Sequence, residues 1–289
     1  MAMTRRRFLG AALAAGAAAP LASFLYAWRV ESGWIDFVHR PLPIAGLPSG
    51  LAGATLVQLS DIHVGPRVED DYLRDAFRRV AALAPDFVVG TGDWVTYRGP
   101  AQLEQFARAL ADFPLGRLGT VGVLGNHDYG YGWHMEEVAE RVTTIAEDAG
   151  IAMLRNQARR IAGLQFIGLD DLWGPRFDPV PVLSAHGEDP GTLVLSHNPD
   201  SVDRPGWEGY AGWILSGHTH GGQCRPPFLP PPILPVENRR YTCGAFALDG
   251  ARALYVNRGL GHLIPVRFNV RPEITVFHLR PADRRAARA

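Results

Sequence analysis

The chain has 289 residues, 47% of them hydrophobic, which is enough for one large domain or two small ones with a sizeable core. Its 29 basic residues balance 29 acidic ones, so the net charge excludes the strongly basic character of a typical nucleic-acid-binding protein. Every basic residue is an arginine, which excludes a Schiff-base lysine, a Ser-Lys dyad and the lysine of a Walker-type phosphate loop.

The N-terminus has the pattern of an export signal. Thr4-Arg5-Arg6-Arg7-Phe8-Leu9 precedes an alanine-rich apolar run that ends near Trp28, and this is typical of a twin-arginine (Tat) signal. We therefore predict that residues 1–28 are a Tat signal or a membrane anchor. The protein is then expected at the outer face of the cytoplasmic membrane, either anchored there or released to the periplasm or cell wall, with the Tat machinery and the membrane as partners.

Two fates of this segment stay open. The run from Phe8 to Trp28 is long enough to cross a bilayer, which favours a retained anchor. The small residues Ala17-Ala18-Ala19 offer a cleavage site, although Pro20 follows them directly.

Beyond the signal, the hydrophobic pattern first alternates between strand and helix and then becomes strand-rich. Residues 29–50 form a lead-in that contains proline and glycine, with an edge strand at 34–38. The predicted helices are 70–84, 101–111 and 135–149. The predicted strands are 54–60, 86–90, 119–124, 164–169, 192–196, 211–215, 246–248, 253–256 and 274–277. This order predicts one α/β sandwich domain over residues 51–280, followed by a solvated, arginine-rich tail at 281–289.

Polar fragments stand at the ends of five predicted strands. They are Asp61-Ile62-His63, Gly92-Asp93, Gly125-Asn126-His127-Asp128, His197 and Gly217-His218-Thr219-His220. Each fragment by itself is an ordinary turn or cap. Because ligands gather beyond the carboxyl ends of the strands in α/β sheets, we expect the five fragments to converge.

The converging residues have the chemistry of metal ligands. Seven of them offer oxygen or nitrogen donors and none offers a thiolate: Asp61, His63, Asp93, Asn126, His197, His218 and His220. This set is too large for one tetrahedral ion and suits two divalent ions, Mn, Fe or Zn, that share a carboxylate. Two such ions can hold a phosphate and a nucleophilic water together, so the sequence predicts a phosphoester substrate.

In this order the five fragments resemble the calcineurin-like metallophosphoesterases, over residues 54–279. The segment Gly217 to Gln223, with Asn257-Arg258-Gly259-Leu260-Gly261 downstream, is similar to the exported or membrane-anchored YkuE/YaeI-type branch. The resemblance implies a four-layer αββα fold. It also implies hydrolysis of phosphomonoester, phosphodiester or pyrophosphate bonds by a metal-bound hydroxide.

The resemblance further implies a role for each residue. Asp61, His63, Asp93 and His220 would hold the first ion, and Asp93, Asn126, His197 and His218 the second, with Asp93 bridging. His127 would assist the leaving group and Asp128 would orient His127. The alternatives are a further ligand or a turn residue for His127 and a cap on the following helix for Asp128.

Other interpretations remain open on sequence alone. Arg258 is a weak candidate for a phosphate contact, against a solvated loop arginine. Within the enzyme class, a UDP-2,3-diacylglucosamine-type pyrophosphate hydrolase acting on a lipid precursor is an alternative. From another class, an inactive scaffold of the same fold used for protein binding is possible, but the intact ligand set argues against it. Cys224 and Cys243 are either a disulfide or two free thiols.

Overall fold

The computed structural model describes residue 5, residue 18 and residues 20–282. Residues 20–29 are helical (α1), and two six-stranded sheets follow. The strand order in the first sheet is β1 (Asp36–Ile44), β12 (Glu273–Pro281), β2 (Thr55–Leu59), β3 (Phe87–Thr91), β4 (Gly119–Val123) and β5 (Ala152–Met153). The order in the second is β10 (Gly244–Ala247), β11 (Ala253–Val256), β9 (Trp213–Ser216), β8 (Thr192–Leu195), β7 (Leu164–Gly168) and β6 (Gln157–Ile161).

Both sheets are mixed. In the first, β2, β3, β4 and β5 are parallel, while β12 is antiparallel to β2. In the second, β7, β8, β9 and β11 are parallel, while β6 and β10 are antiparallel to their neighbours. The loops that follow the parallel strands of one sheet therefore lie along a single edge of that sheet.

Three helices cover the outer face of the first sheet: α2 (Asp70–Ala81), α3 (Pro100–Leu110) and α4 (Glu136–Asp148). In α2 the buried residues are Leu73, Ala76, Phe77 and Val80, a helical spacing that places them on the face turned to the sheet. A short helix, α5 (Val180–His186), packs on the second sheet.

The two sheets face each other across a common apolar core. The first sheet contributes Leu56 and Phe87, and the second contributes Phe166 and Leu193. The α/β fold with two mixed sheets is therefore confirmed. The order of layers is helices, sheet, sheet and helix, and in the described part of the chain the last layer contains α5, a short 3-10 helix at Pro199–Asp203 and loops.

The lead-in contributes more structure than its composition suggests. Strand β1 extends to Ile44 and pairs with β12 along its whole length, from Asp36 opposite Glu273 to Ile44 opposite Pro281. Two prolines in β1 are tolerated because it is an edge strand. Strands β5 and β6 and helix α5 were not predicted. Strand β5 has two residues, and β6 is a largely exposed edge strand without a hydrophobic alternation.

The N-terminal signal lies mostly outside the described residues, as does the tail from residue 283. Among the residues that are described, no helix has both the length and the apolar character needed to cross a bilayer. The predicted anchor helix is therefore not shown, and export through the Tat route stays a prediction. Cys224 and Cys243 are free, half-buried thiols.

Candidate metal centre

The seven predicted ligands are brought together at the strand ends, as expected. Asp61 and His63 follow β2, Asp93 follows β3, and Asn126 follows β4. From the second sheet, His197 follows β8, and His218 and His220 follow β9. All seven are buried, and six of them form two groups, in each of which the candidate donor atoms lie within 4.8 Å of one another.

The first group contains Asp61, His63 and His220. The Nε2 atoms of His63 and His220 are 3.1 Å apart, and His220 Nε2 lies 3.4 Å from Asp61 Oδ1. Donor atoms bonded to one ion at about 2.1 Å lie roughly 3.0–3.4 Å from each other. The spacing in this group therefore fits a shared ion.

The second group contains Asp93, His197 and His218. His197 Nε2 is 3.3 Å from Asp93 Oδ2 and 3.2 Å from His218 Nδ1. The same Asp93 oxygen lies 3.6 Å from Nε2 of His63, a member of the first group. Asp93 therefore stands between the two groups, where a carboxylate can be shared by two ions.

Backbone carbonyls set the protonation of two imidazoles in the second group. Nδ1 of His197 donates to Thr91 O at 2.7 Å, and Nε2 of His218 donates to Pro235 O at 2.8 Å. In the neutral rings the other two nitrogens are then unprotonated, and these are the ones that face each other. A cation between these two nitrogens, either a proton or a metal ion, removes the repulsion of their lone pairs, so the pair can hold a metal ion.

Asn126 completes the set. Its side chain is buried, and its Oδ1 atom has no hydrogen-bond partner among the described residues. A buried oxygen without a partner costs about 1–3 kcal/mol, which a metal bond would offset. The amide is therefore a fitting further ligand.

Burial keeps three imidazoles of the centre neutral. It lowers the pKa of His63 and of His218 to about 3, and it lowers the pKa of His220 well below its usual range, with help from the charge of Arg267. Burial acts in the same direction on His197, but the carboxylates of Asp93, Asp61 and Asp171 outweigh it and raise the pKa of that residue well above its usual range. Neutral imidazole is the form that binds metal, and the excess of negative charge around His197 favours any cation there.

The backbone is strained at the ligands. Five of the seven have φ in the left-handed region: Asp61 at 50°, His63 at 53°, Asp93 at 54°, His218 at 71° and His220 at 49°. Such a conformation in a non-glycine residue costs on the order of 1–3 kcal/mol and persists only where the surroundings enforce it. Because this conformation occurs at five of the seven candidate ligands, we infer that the backbone is held there for a function.

His127 lies at the open side of the centre. Its backbone amide donates to Asp93 Oδ1 at 2.9 Å, and its half-buried ring meets the ring of His63 edge to face, with centroids 5.2 Å apart. The residue is therefore positioned by Asp93 and reaches the space in front of the ligands.

The hydrogen bonds of Asp128 differ from those that it would need to orient His127. Its Oδ1 accepts the amide of Val95 at 3.0 Å, and its Oδ2 accepts the amide of Gly125 at 2.8 Å. Within residues 20–282 its carboxylate makes no hydrogen bond to the ring of His127. These contacts fix the turn that carries Asn126 and His127, and they do not cap the following helix α4.

Arg258 is not available for phosphate. Its guanidinium pairs with Glu273 through Nε, and Nη2 lies 2.9 Å from Asp36 Oδ2. Both expectations for this residue are corrected, because it is neither solvated nor directed at the centre.

Sequence reasoning missed Arg267, which lies behind the first group. It is fully buried, and Nη2 donates to Gly261 O at 2.7 Å and lies 3.4 Å from His220 Nδ1. Burial lowers its pKa to about 10, so it remains charged at neutral pH. Its only sequence signal is a lone arginine in a loop, which does not distinguish it from the other arginines.

The sequence model of the family described as calcineurin-like phosphoesterase matches residues 54–222. Phosphodiesterase YaeI of Escherichia coli (strain K12) is 34% identical over 286 residues, covering 96% of this chain and 99% of that protein. The uncharacterized metallophosphoesterase YkuE of Bacillus subtilis (strain 168) is 32% identical and covers 97% of this chain and 99% of its own length.

A third relative carries a more specific name. The UDP-2,3-diacylglucosamine pyrophosphatase LpxG of Chlamydia trachomatis is 26% identical to this chain. The match covers 89% of this chain and 93% of that protein.

Proposed function

This chain belongs to the calcineurin-like phosphoesterase family, and we propose that it hydrolyses phosphoester or pyrophosphate bonds at a centre of two divalent metal ions. The observation that carries the proposal is the position of Asp93 between two adjacent ligand groups, Asp61/His63/His220 and Asp93/His197/His218. Oxygen and nitrogen donors of this kind suit Mn, Fe or Zn.

In the proposed division, Asp61, His63, Asp93 and His220 hold one ion, and Asp93, Asn126, His197 and His218 hold the other. When bound, the two ions make water a stronger nucleophile near neutral pH and neutralise charge on the phosphoryl oxygens. The chain itself orients the substrate and delivers a proton.

His127 is the group placed to handle that proton. Its amide is fixed by Asp93, and its ring stands between His63 and Trp133, 6.1 Å from the latter between centroids. We propose that an imidazole nitrogen of His127 donates a proton to the leaving oxygen. The rings of Trp133 and Trp173 are stacked with centroids 4.9 Å apart, and Trp173 meets the ring of His218 edge to face, so aromatic side chains border the centre.

The His127→Ala variant tests this role through the leaving group. General acid catalysis contributes about 10²–10⁴-fold, and it matters most for a leaving group that needs a proton. We expect kcat/KM for an alkyl phosphodiester to fall by roughly 10³-fold, and that for bis-p-nitrophenyl phosphate, whose leaving group is stable as an anion, to fall far less. His39→Ala, on the exposed edge of β1, is the control. Equal losses on both substrates would show that His127 is not the acid.

A narrower candidate is hydrolysis of a lipid-linked pyrophosphate. It is supported by the activity after which the Chlamydia relative is named and by the predicted position of this chain at a membrane. The test is to measure kcat/KM for UDP-2,3-diacylglucosamine in detergent and to compare it with kcat/KM for bis-p-nitrophenyl phosphate. A lower kcat/KM for the lipid would remove this candidate.

A further inference from the structure

A cavity of about 430 Å³ opens directly beside the proposed metal centre. His63 and His127 form one end of it. Its volume is in the range of sites for small molecules, about 300–1,000 Å³. Since His127 faces the leaving oxygen in the proposed mechanism, the cavity lies where the leaving group would be held.

Two guanidinium groups line this cavity. Arg67 follows β2, a few residues beyond His63, and Arg98 follows β3, a few residues beyond Asp93. Both are exposed, and within residues 20–282 neither side chain has a salt-bridge partner or a hydrogen-bond acceptor. Arg258, in contrast, is paired with two carboxylates. Unpaired guanidinium groups in a cleft suit the oxygens of a phosphate, which they can bind with two hydrogen bonds each.

The rest of the wall is aromatic and apolar. Tyr97 and Tyr131 meet edge to face with centroids 5.8 Å apart, and the hydroxyl of Tyr131 donates to the carbonyl of Arg98 at 2.8 Å. Tyr131, Trp133 and Ile264 are large side chains that remain exposed there. A flat or apolar group next to the phosphate would cover these surfaces.

His262 adds a buried acceptor. It is only 8% exposed, and its Nε2 donates to the carbonyl of Arg67 at 2.9 Å. Its Nδ1 is buried and has no partner in the described part of the chain. Burial lowers the pKa of His262 to about 4, so at neutral pH the ring is uncharged and holds the carbonyl of Arg67 in place.

We propose that this cavity binds a leaving group that itself carries a phosphate next to a flat or apolar moiety, so that the preferred substrates are organic pyrophosphate diesters. The proposal rests on the proposed function and assigns Arg67 and Arg98 to the second phosphate. Hydrolysis adds the hydroxyl of water to the attacked phosphorus. The bond from that phosphorus to the bridging oxygen breaks, and the oxygen leaves with the second phosphorus and the electron pair. The leaving oxygen takes the proton that His127 donates, and the proton released from the water restores the proton of His127. The products are two phosphomonoesters.

A binding experiment on metal-free protein tests the cavity without the reaction. Adenosine 5′-monophosphate represents the leaving half, and its Kd is measured by isothermal titration calorimetry. The double variant Arg67→Ala/Arg98→Ala is expected to weaken binding at least tenfold. Arg141→Ala, an exposed arginine on α4, is the matched control and is expected to change nothing. Binding to the wild type that is undetectable at millimolar nucleotide, or that is equal in the double variant, overturns the proposal.

A kinetic experiment separates this proposal from the proposed function. With metal-loaded enzyme, kcat/KM is measured for ADP-ribose, a pyrophosphate diester, and for bis-p-nitrophenyl phosphate, which has no second phosphate. The double variant is expected to lower the ratio of the two values at least tenfold, and an unchanged ratio overturns the assignment. If the wild type hydrolyses neither compound, the proposed function fails, while the nucleotide Kd still reports on the cavity.

Discussion

Replacing Asp93 with asparagine is expected to lower kcat for phosphodiester hydrolysis by at least about 10³-fold, because metal ions contribute several kcal/mol to such reactions. One oxygen of Asp93 lies near His63 and His197, one from each ligand group, and the other accepts the amide of His127. An amide in its place removes the negative charge that both ions would share. The shape of the side chain is almost unchanged, so the fold is expected to persist.

The measurement is turnover of bis-p-nitrophenyl phosphate, with circular dichroism to verify folding. Asp249→Asn, in an exposed turn away from the strand ends that carry the ligands, is the control and is expected to behave like the wild type. Turnover within a few-fold of the wild type in Asp93→Asn would rule out a bridging carboxylate.

The second large loss of activity is expected when Gly217 is replaced by alanine. A Cβ at Gly217 would lie 1.9 Å from Ser60 Oγ and 2.4 Å from Asp61 Oδ2. Asp61 also accepts the amide of His218 at 3.0 Å, so a methyl group there would push a ligand out of the first group and disturb the second. Overpacking of this kind typically costs about 1–3 kcal/mol. We expect Gly217→Ala to lose activity by roughly 10²-fold, since displaced ligands commonly lower metal affinity or activity by 10–100-fold.

Gly50→Ala is the matched control, because a Cβ at Gly50 meets nothing within 4 Å. Activity and metal content are measured for both variants. Gly217→Ala could instead keep the activity and the metal content of the wild type. In that case the site does not need the close approach between Asp61 and the turn that follows β9.

The candidate ligands could be predicted from sequence because each stands directly after a predicted strand, most of them in a short polar motif. Asp61 and His63 are separated by one residue after β2, and His218 and His220 by one residue after β9. Strand geometry brings such motifs to one edge without any knowledge of the contacts between them. The fold class followed from the same alternation of strands and helices.

The roles that depend on distant partners could not be predicted. Arg258 pairs with Asp36, 222 residues away in the chain, so its sequence neighbours do not reveal that its charge is neutralised. Asp128 is bound by the amide of Val95, which belongs to another loop. Arg67 and Arg98 carry no motif, and only the structure brings them to the cavity beside His127.

The most direct test of the account is the metal content of the folded, purified protein. Inductively coupled plasma mass spectrometry of protein reconstituted with Mn, Fe or Zn is expected to give close to two ions per chain. This result follows from two adjacent donor groups, the second of which contains Asp93 next to His63 of the first. A single ion per chain at saturation would contradict the binuclear centre and the hydrolytic mechanism built on it.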